Sequence, residues 1–168
     1  MNYHNITHDD MNNGDGLRVV LWVAGCSHHC KDCHNPVTWN PADGIPFSLQ
    51  DKEELYRELE KEYIAGITFS GGDPLHPDNR DAVDNLMQAV KRDFPDKTIW
   101  VYTGYTWEEV TQSQKMAAMM QSVDVLVDGR FVAELKDVTY PWAGSTNQRV
   151  IDVQRTLKEG RVILHESH

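Results

Sequence analysis

The thiols of this chain are three, Cys26, Cys30 and Cys33, and they fall within eight residues in the spacing C-x3-C-x2-C. Three thiolates on one short loop can hold three corners of an iron-sulfur cube and leave the fourth iron without a protein ligand. A ferredoxin needs a fourth cysteine, which is lacking here, so an intact 4Fe-4S cluster would offer one iron to a small molecule. Two other metal readings use the same residues. Zinc could take the three cysteines with His28, His29 or His34 as fourth ligand, since Cys3His is a common tetrahedral set. The stretch from Cys30 to His34 also fits the C-x-x-C-H pattern of haem attachment, but that leaves Cys26 without a use. A disulfide framework does not fit three cysteines this close together.

A second candidate for chemistry is Gly71-Gly72-Asp73-Pro74. Glycines permit close backbone approach, and a carboxylate suits an ammonium group. Taken alone, the same four residues also fit a bare strand-to-helix turn.

Elements able to position these groups can be read from periodicity. Residues 17–25 form a short apolar run rich in β-branched residues that stops just before Cys26, which predicts a buried strand. Ser48, with Asp51 three residues on, opens a helix whose apolar face is Leu49, Leu55, Tyr56, Leu59 and Tyr63. Residues 66–70 predict a strand ending in the glycine pair, and residues 78–93 a helix with Ala82, Leu86, Val90 and Phe94 inside. Residues 98–102 predict a third strand leading to Thr103-Gly104. A continuous helix is expected from Thr106 to about Gln121, with Val110, Met116, Met119 and Met120 buried. Strands are then expected at residues 123–129 and, with weaker patterns, at 149–153 and 161–164. Residues 1–16 read as a polar segment, Trp142 as a residue of an exposed loop, and His165 and His168 as a solvated tail.

Alternating strands and helices predict mostly parallel strands joined by right-handed crossovers, hence an α/β fold, whose ligands gather at the carboxyl ends of the strands. The cysteine loop, the Gly71-Gly72-Asp73-Pro74 turn and Tyr102-Thr103-Gly104 all fall at such ends. With 168 residues the chain is expected to be one domain, too short for a complete (β/α)8 barrel of about 250 residues. The net charge of -10 disfavours nucleic acid or an anionic membrane as partner. The absence of a signal-peptide pattern at the start leads us to expect a cytoplasmic protein.

C-x3-C-x2-C after the first strand is the signature of the radical S-adenosylmethionine (SAM) enzymes, and the chain resembles that family. The ordered blocks LWVAGCSHHCKDCHNPVTW, ITFSGGDP, WVYTGY, VDVLVDGRF and GSTNQRVIDVQ, from about Gly16 to Val153, are similar more specifically to the small activating proteins of anaerobic ribonucleotide reductases. The resemblance implies a partial, open (β/α) barrel of about five or six mostly parallel strands. It implies that Cys26, Cys30 and Cys33 ligate a 4Fe-4S cluster whose open iron chelates SAM. Gly71, Gly72 and Asp73 would then hold the methionine amino group, with Asp in place of the family's usual Glu. Asp32, Cys33 and His34 would lie beside the adenine, where Asp32 departs from the usual aromatic or Gly. The implied activity is generation of a glycyl radical on the large subunit of an anaerobic ribonucleoside-triphosphate reductase. A flavodoxin-like protein would be the electron donor, and a homodimer or a heterotetramer with the reductase the assembly. Tyr102-Thr103-Gly104 and Asn147-Gln148-Arg149 match family blocks without a readable role. The alternatives are another short radical SAM enzyme, either an activator of a different glycyl-radical enzyme or a deazapurine synthase, and a non-catalytic zinc-binding module.

Overall fold

The computed structural model describes residues 1–25, 40 and 42–166, so Cys26, Cys30, Asp32, Cys33 and His34 lie outside the described residues. In chain order the strands are β1 (Asn2–Asp10), β2 (Leu17–Val23), β3 (Ile45–Pro46), β4 (Ile64–Gly71), β5 (Thr98–Tyr102), β6 (Val125–Asp128) and β7 (Arg149–Asp152). The helices are α1 (Leu49–Leu59), α2 (Arg80–Asp93), α3 (Trp107–Gln112), α4 (Gln114–Met119) and α5 (Val153–Glu159). Among the described residues the strands form one open sheet in the order β3-β1-β2-β4-β5-β6-β7.

The α/β class stands, but the sheet is more mixed than expected. β2, β4, β5 and β6 run parallel, while β1, β3 and β7 add to the edges antiparallel. The polar segment 1–16 carries the strand β1, which hydropathy did not reveal because an outer strand buries neither face deeply. Polar side chains tie it in: Trp22 Nε1 donates to Thr7 Oγ1 at 3.0 Å and Tyr3 Oη to Asp51 Oδ1 at 2.6 Å.

Alternation along the central strands separates two faces. Val19, Leu21 and Val23 of β2, Ile67 and Phe69 of β4, Ile99 and Val101 of β5 and Leu126 of β6 join the large core beneath the helices. Trp100, Val125, Val127 and Val150 form a smaller cluster on the opposite face, with Tyr102 and Trp142 against it. Trp142 is thus half-buried rather than exposed. α1 has the expected capping box, Ser48 with Asp51, and buries Leu55 and Leu59, whereas Leu49 and Tyr63 stay exposed.

The continuous helix expected from Thr106 is broken. Ser113 is extended (φ -96°, ψ 122°), and its hydroxyl accepts from Met116 N to cap a new helix, α4. The break still leaves Val110, Met116, Met119 and Met120 buried as expected. The strand expected at 161–164 amounts to a single bridge between Leu164 and Ile151. A helix, α5, precedes it, capped by Asp152 at one end and by left-handed Gly160 at the other. His165 is not a solvated tail residue: its Nε2 lies 2.7 Å from Asp15 Oδ2, and its ring meets Trp100 edge-on at 5.1 Å.

A buried cation pins the amino ends of the central strands. Arg18 is fully buried and spends all five N–H groups on neutral acceptors. Nε donates to Thr68 Oγ1 at 2.9 Å, NH1 to Asp15 O and Thr98 Oγ1 at 2.9 Å each, and NH2 to Ile67 O at 3.0 Å and Thr98 O at 2.7 Å. Its face lies over Trp100, 5.6 Å from the ring centroid. Gly66 makes room, because a Cβ there would collide with the Thr98 carbonyl and stand 2.8 Å from Arg18 NH2. Burial pulls the guanidinium down to about 10, which leaves it charged at neutral pH. Removing it would strand several buried acceptors, each worth about 1–3 kcal/mol when unpaired. Arg18→Leu is therefore expected to lower the unfolding free energy by about 3 kcal/mol or more; an unchanged urea midpoint would refute this account.

Candidate functional site

Parallel strands bring their carboxyl ends to one edge, where β2 ends at Val23, β4 at Gly71, β5 at Tyr102 and β6 at Asp128. The register sets Gly71 opposite Val23. Gly71 has φ 103°, and a Cβ on it would stand 2.6 Å from Val23 O and 2.7 Å from Val23 N, so only glycine fits. Beyond the strand the two chains stay joined: Gly72 N donates to Val23 O at 2.8 Å and Asp73 N to Gly25 O at 2.6 Å. Gly71, Gly72 and Asp73 are therefore seated beside Gly25, the residue that precedes Cys26.

Asp73 is buried, and its carboxylate ties loops together. Oδ1 accepts from Leu75 N at 2.8 Å and Thr103 Oγ1 at 2.9 Å, while Oδ2 accepts from Gly104 N at 3.0 Å. Thr103 and Gly104, which had no readable role, are thus the partners that orient Asp73. Tyr102 presents a different feature. Its hydroxyl is buried without a hydrogen-bond partner among the described residues, and burial pushes the phenol above its ordinary range, so it stays protonated.

Asn79 was missed by sequence reasoning. It occupies the N-cap position of α2 yet makes no capping bond; its Nδ2 instead donates to Ala24 O at 2.8 Å and Asp73 O at 3.0 Å. An Asn before a helix signals a cap, which hides this second use.

Asp128 repeats the device at the end of β6. Buried to 1% exposure, it accepts from Trp107 N at 2.8 Å, from Arg149 N at 3.0 Å and from Arg149 NH2 at 2.6 Å. Arg149 also forms a two-pronged pair with Glu108, at 3.0 and 2.7 Å. The Glu108 bonds and then Asp128 hold the guanidinium well above its ordinary range, and Arg149 in turn lowers the Glu108 carboxyl. Asn147 and Gln148 bind loop backbone rather than facing Gly71–Asp73: Asn147 Nδ2 donates to Arg130 O at 2.8 Å and Gln148 Nε2 to Gly129 O at 2.9 Å.

The structure therefore brings Gly25, the glycine turn and the Thr103-Gly104 turn together at one end of the sheet. It places Asn147 and Gln148 at the end of the β6–β7 loop and Arg149 at the start of β7, paired with Asp128 at that end. Cys26, Cys30, Asp32, Cys33 and His34 fall outside what it describes.

Comparisons with known proteins show the family. Residues 12–151 match the family described as a 4Fe-4S single cluster domain. The chain is 45% identical over 150 residues to the anaerobic ribonucleoside-triphosphate reductase-activating protein of Enterobacteria phage T4, covering 89% of this chain and 93% of the relative. The protein of that name from Escherichia coli (strain K12) is 44% identical over 155 residues, covering 89% and 97%. That from Vibrio cholerae is 43% identical over 150 residues, covering 88% and 96%. With a family model spanning most of its length and relatives matched almost end to end, the chain belongs to the family of anaerobic ribonucleoside-triphosphate reductase-activating proteins.

Proposed function

We propose that this chain is a radical SAM activase that installs a glycyl radical on an anaerobic ribonucleotide reductase. One observation carries the reading: the Gly71–Asp73 backbone is hydrogen-bonded to Val23 and Gly25, directly before the C-x3-C-x2-C loop. Cys26, Cys30 and Cys33 would hold three irons of a 4Fe-4S cluster and leave the fourth for the amino and carboxylate groups of SAM. When bound, the reduced cluster and SAM supply a 5'-deoxyadenosyl radical able to take a hydrogen atom from the target glycine.

The residues of this chain contribute position and charge. Gly71 lets the end of β4 close against Val23, which seats Gly72 and Asp73 beside Gly25, and the carboxylate of Asp73 would suit the methionine ammonium. Asp73 also keeps the Thr103-Gly104 turn against the glycine turn, so one carboxylate shapes two walls. Asp32, Cys33 and His34 would flank the adenine. No acid-base pair is required by this chemistry. The sheet is open, and we infer a partial barrel whose side admits a loop of the large reductase subunit, the partner completing the wall. The reading includes a flavodoxin-like electron donor and a dimer, or a heterotetramer with the reductase. Among the described residues no helix is long and apolar enough to cross a membrane.

Anaerobically reconstituted protein, reduced and given SAM and the reductase, should produce a glycyl-radical EPR doublet. SAM cleavage without that doublet would redirect the reading to another radical SAM activity, and colourless protein holding one zinc would end it. Ala in place of Cys26, Cys30 or Cys33 should abolish SAM cleavage; three active variants would refute the ligand set. Gly71→Ala should weaken SAM binding at least ~10-fold in equilibrium dialysis, because the left-handed strain of about 1–2 kcal/mol and the collision with Val23 would displace the turn that carries Gly72 and Asp73. Undiminished binding would show that SAM is held elsewhere.

A further inference from the structure

The loop joining β6 to β7, residues 129–148, leaves the sheet at the same end as Gly71–Asp73 and is stapled by its own side chains. Gln148 spans its mouth, with Oε1 accepting from Gly144 N at 2.8 Å while Nε2 reaches Gly129 O at 2.9 Å. Tyr140 Oη donates to Gln148 O at 2.9 Å. Trp142 anchors the loop to the helix-free face of the sheet, edge-on to Trp100 with centroids 5.7 Å apart. Its φ of 66° is a conformation that a bulky residue holds only where its surroundings over-determine it.

The tip of this stapled loop holds out two apolar side chains among the polar Glu134, Lys136, Asp137 and Thr139. Asp137 to Tyr140 form a turn: Tyr140 N donates to Asp137 O at 3.2 Å, and Asp137 Oδ1 accepts from Thr139 N at 2.9 Å and Thr139 Oγ1 at 2.6 Å. Val138 sits at the centre of that turn, 88% exposed, with Leu135 nearby in the chain at 43%. Turn centres ordinarily take Gly, Pro, Asn, Asp or Ser, each for a backbone reason that Val does not share. A β-branched apolar side chain held out from a fixed turn gains nothing inside this chain. Apolar anchors on a pre-organised frame are what protein association uses, since little ordering remains to be done on binding.

We propose that Leu135 and Val138 form a docking knob that seats in an apolar pocket on the large subunit of the reductase. The proposal rests on the activase reading. Continuity with the site argues for this partner: Gly129 N donates to Tyr105 O at 2.9 Å, joining the root of the loop to the turn after β5. A protein that brings one of its residues to the carboxyl ends of β2, β4 and β5 meets this rim on the way.

The test uses the full chain with Leu135→Ser and Val138→Asp combined, and separately Val138→Leu. Affinity for the reductase subunit is measured by anaerobic calorimetry, and SAM cleavage is measured without the reductase. The double variant should bind at least ~10-fold more weakly while cleaving SAM at the parental rate, and Val138→Leu should bind as the parent does. Equal affinity of parent and double variant would overturn the knob, as would loss of self-association with reductase binding intact. A parent that fails to bind the reductase, or to cleave SAM, would instead overturn the activase reading itself.

Discussion

A guanidinium that stays charged at neutral pH lies wholly inside this sheet, and its need for five acceptors governs the parts around it. Arg18 finds them on β4, on β5 and on the segment before β2, and Thr68 hands the network on to Asn13 O at 2.7 Å. A shift of β2 by one residue would move the cation to the helix-covered face, among Val19, Leu21 and Ile67, where nothing could pair with it. The register so chosen pairs Arg18 with Gly66 and, five residues further along each strand, Val23 with Gly71. A charge at the amino end of the strands thereby decides which backbone groups meet at the carboxyl end.

At that carboxyl end the same chemistry recurs with opposite sign. Asp73 and Asp128 are each buried to 1% exposure; Asp73 accepts from the Gly104 N–H of the turn after β5, and Asp128 from the Trp107 N–H at the start of α3. Loops following parallel strands have no ladder of their own, so a buried carboxylate that accepts N–H bonds is an efficient joint between them. The joints tie the turns at the carboxyl ends of β4, β5 and β6 together, continued by the stapled loop between β6 and β7. A radical reaction suits such tied turns, because the reactive species must meet one intended hydrogen and few others.

Much of this was legible in the residues. The capping box at Ser48, the alternation in β2, β4 and β5, and the glycine pair at the end of β4 are local signals, and each element formed where its signal lay. β1 was not legible, because a polar outer strand looks like any polar segment until a partner pairs with it. The helix after Thr106 was overestimated, since Ser113 satisfies its own backbone by capping and its break costs no buried apolar contact. The strand expected at 149–153 formed at 149–152, whereas α5, capped by Asp152 and Gly160, was not read because its seven residues carry too short an apolar period to stand out.

By itself the sequence determined the thiols, three within eight residues and no fourth, because residue identity and spacing are covalent facts. It also determined the order of the parallel units and the glycine that a left-handed turn would need. Only the tertiary structure decided what the polar residues do. Asp73 became a tie between two loops, Asn79 a bridge from Ala24 to Asp73, Arg149 a partner for Asp128 and Glu108, and His165 a cover for Trp100. Hydrogen bonds join atoms that lie tens of residues apart in the chain, and their partners are set by register and loop closure, which no local pattern encodes.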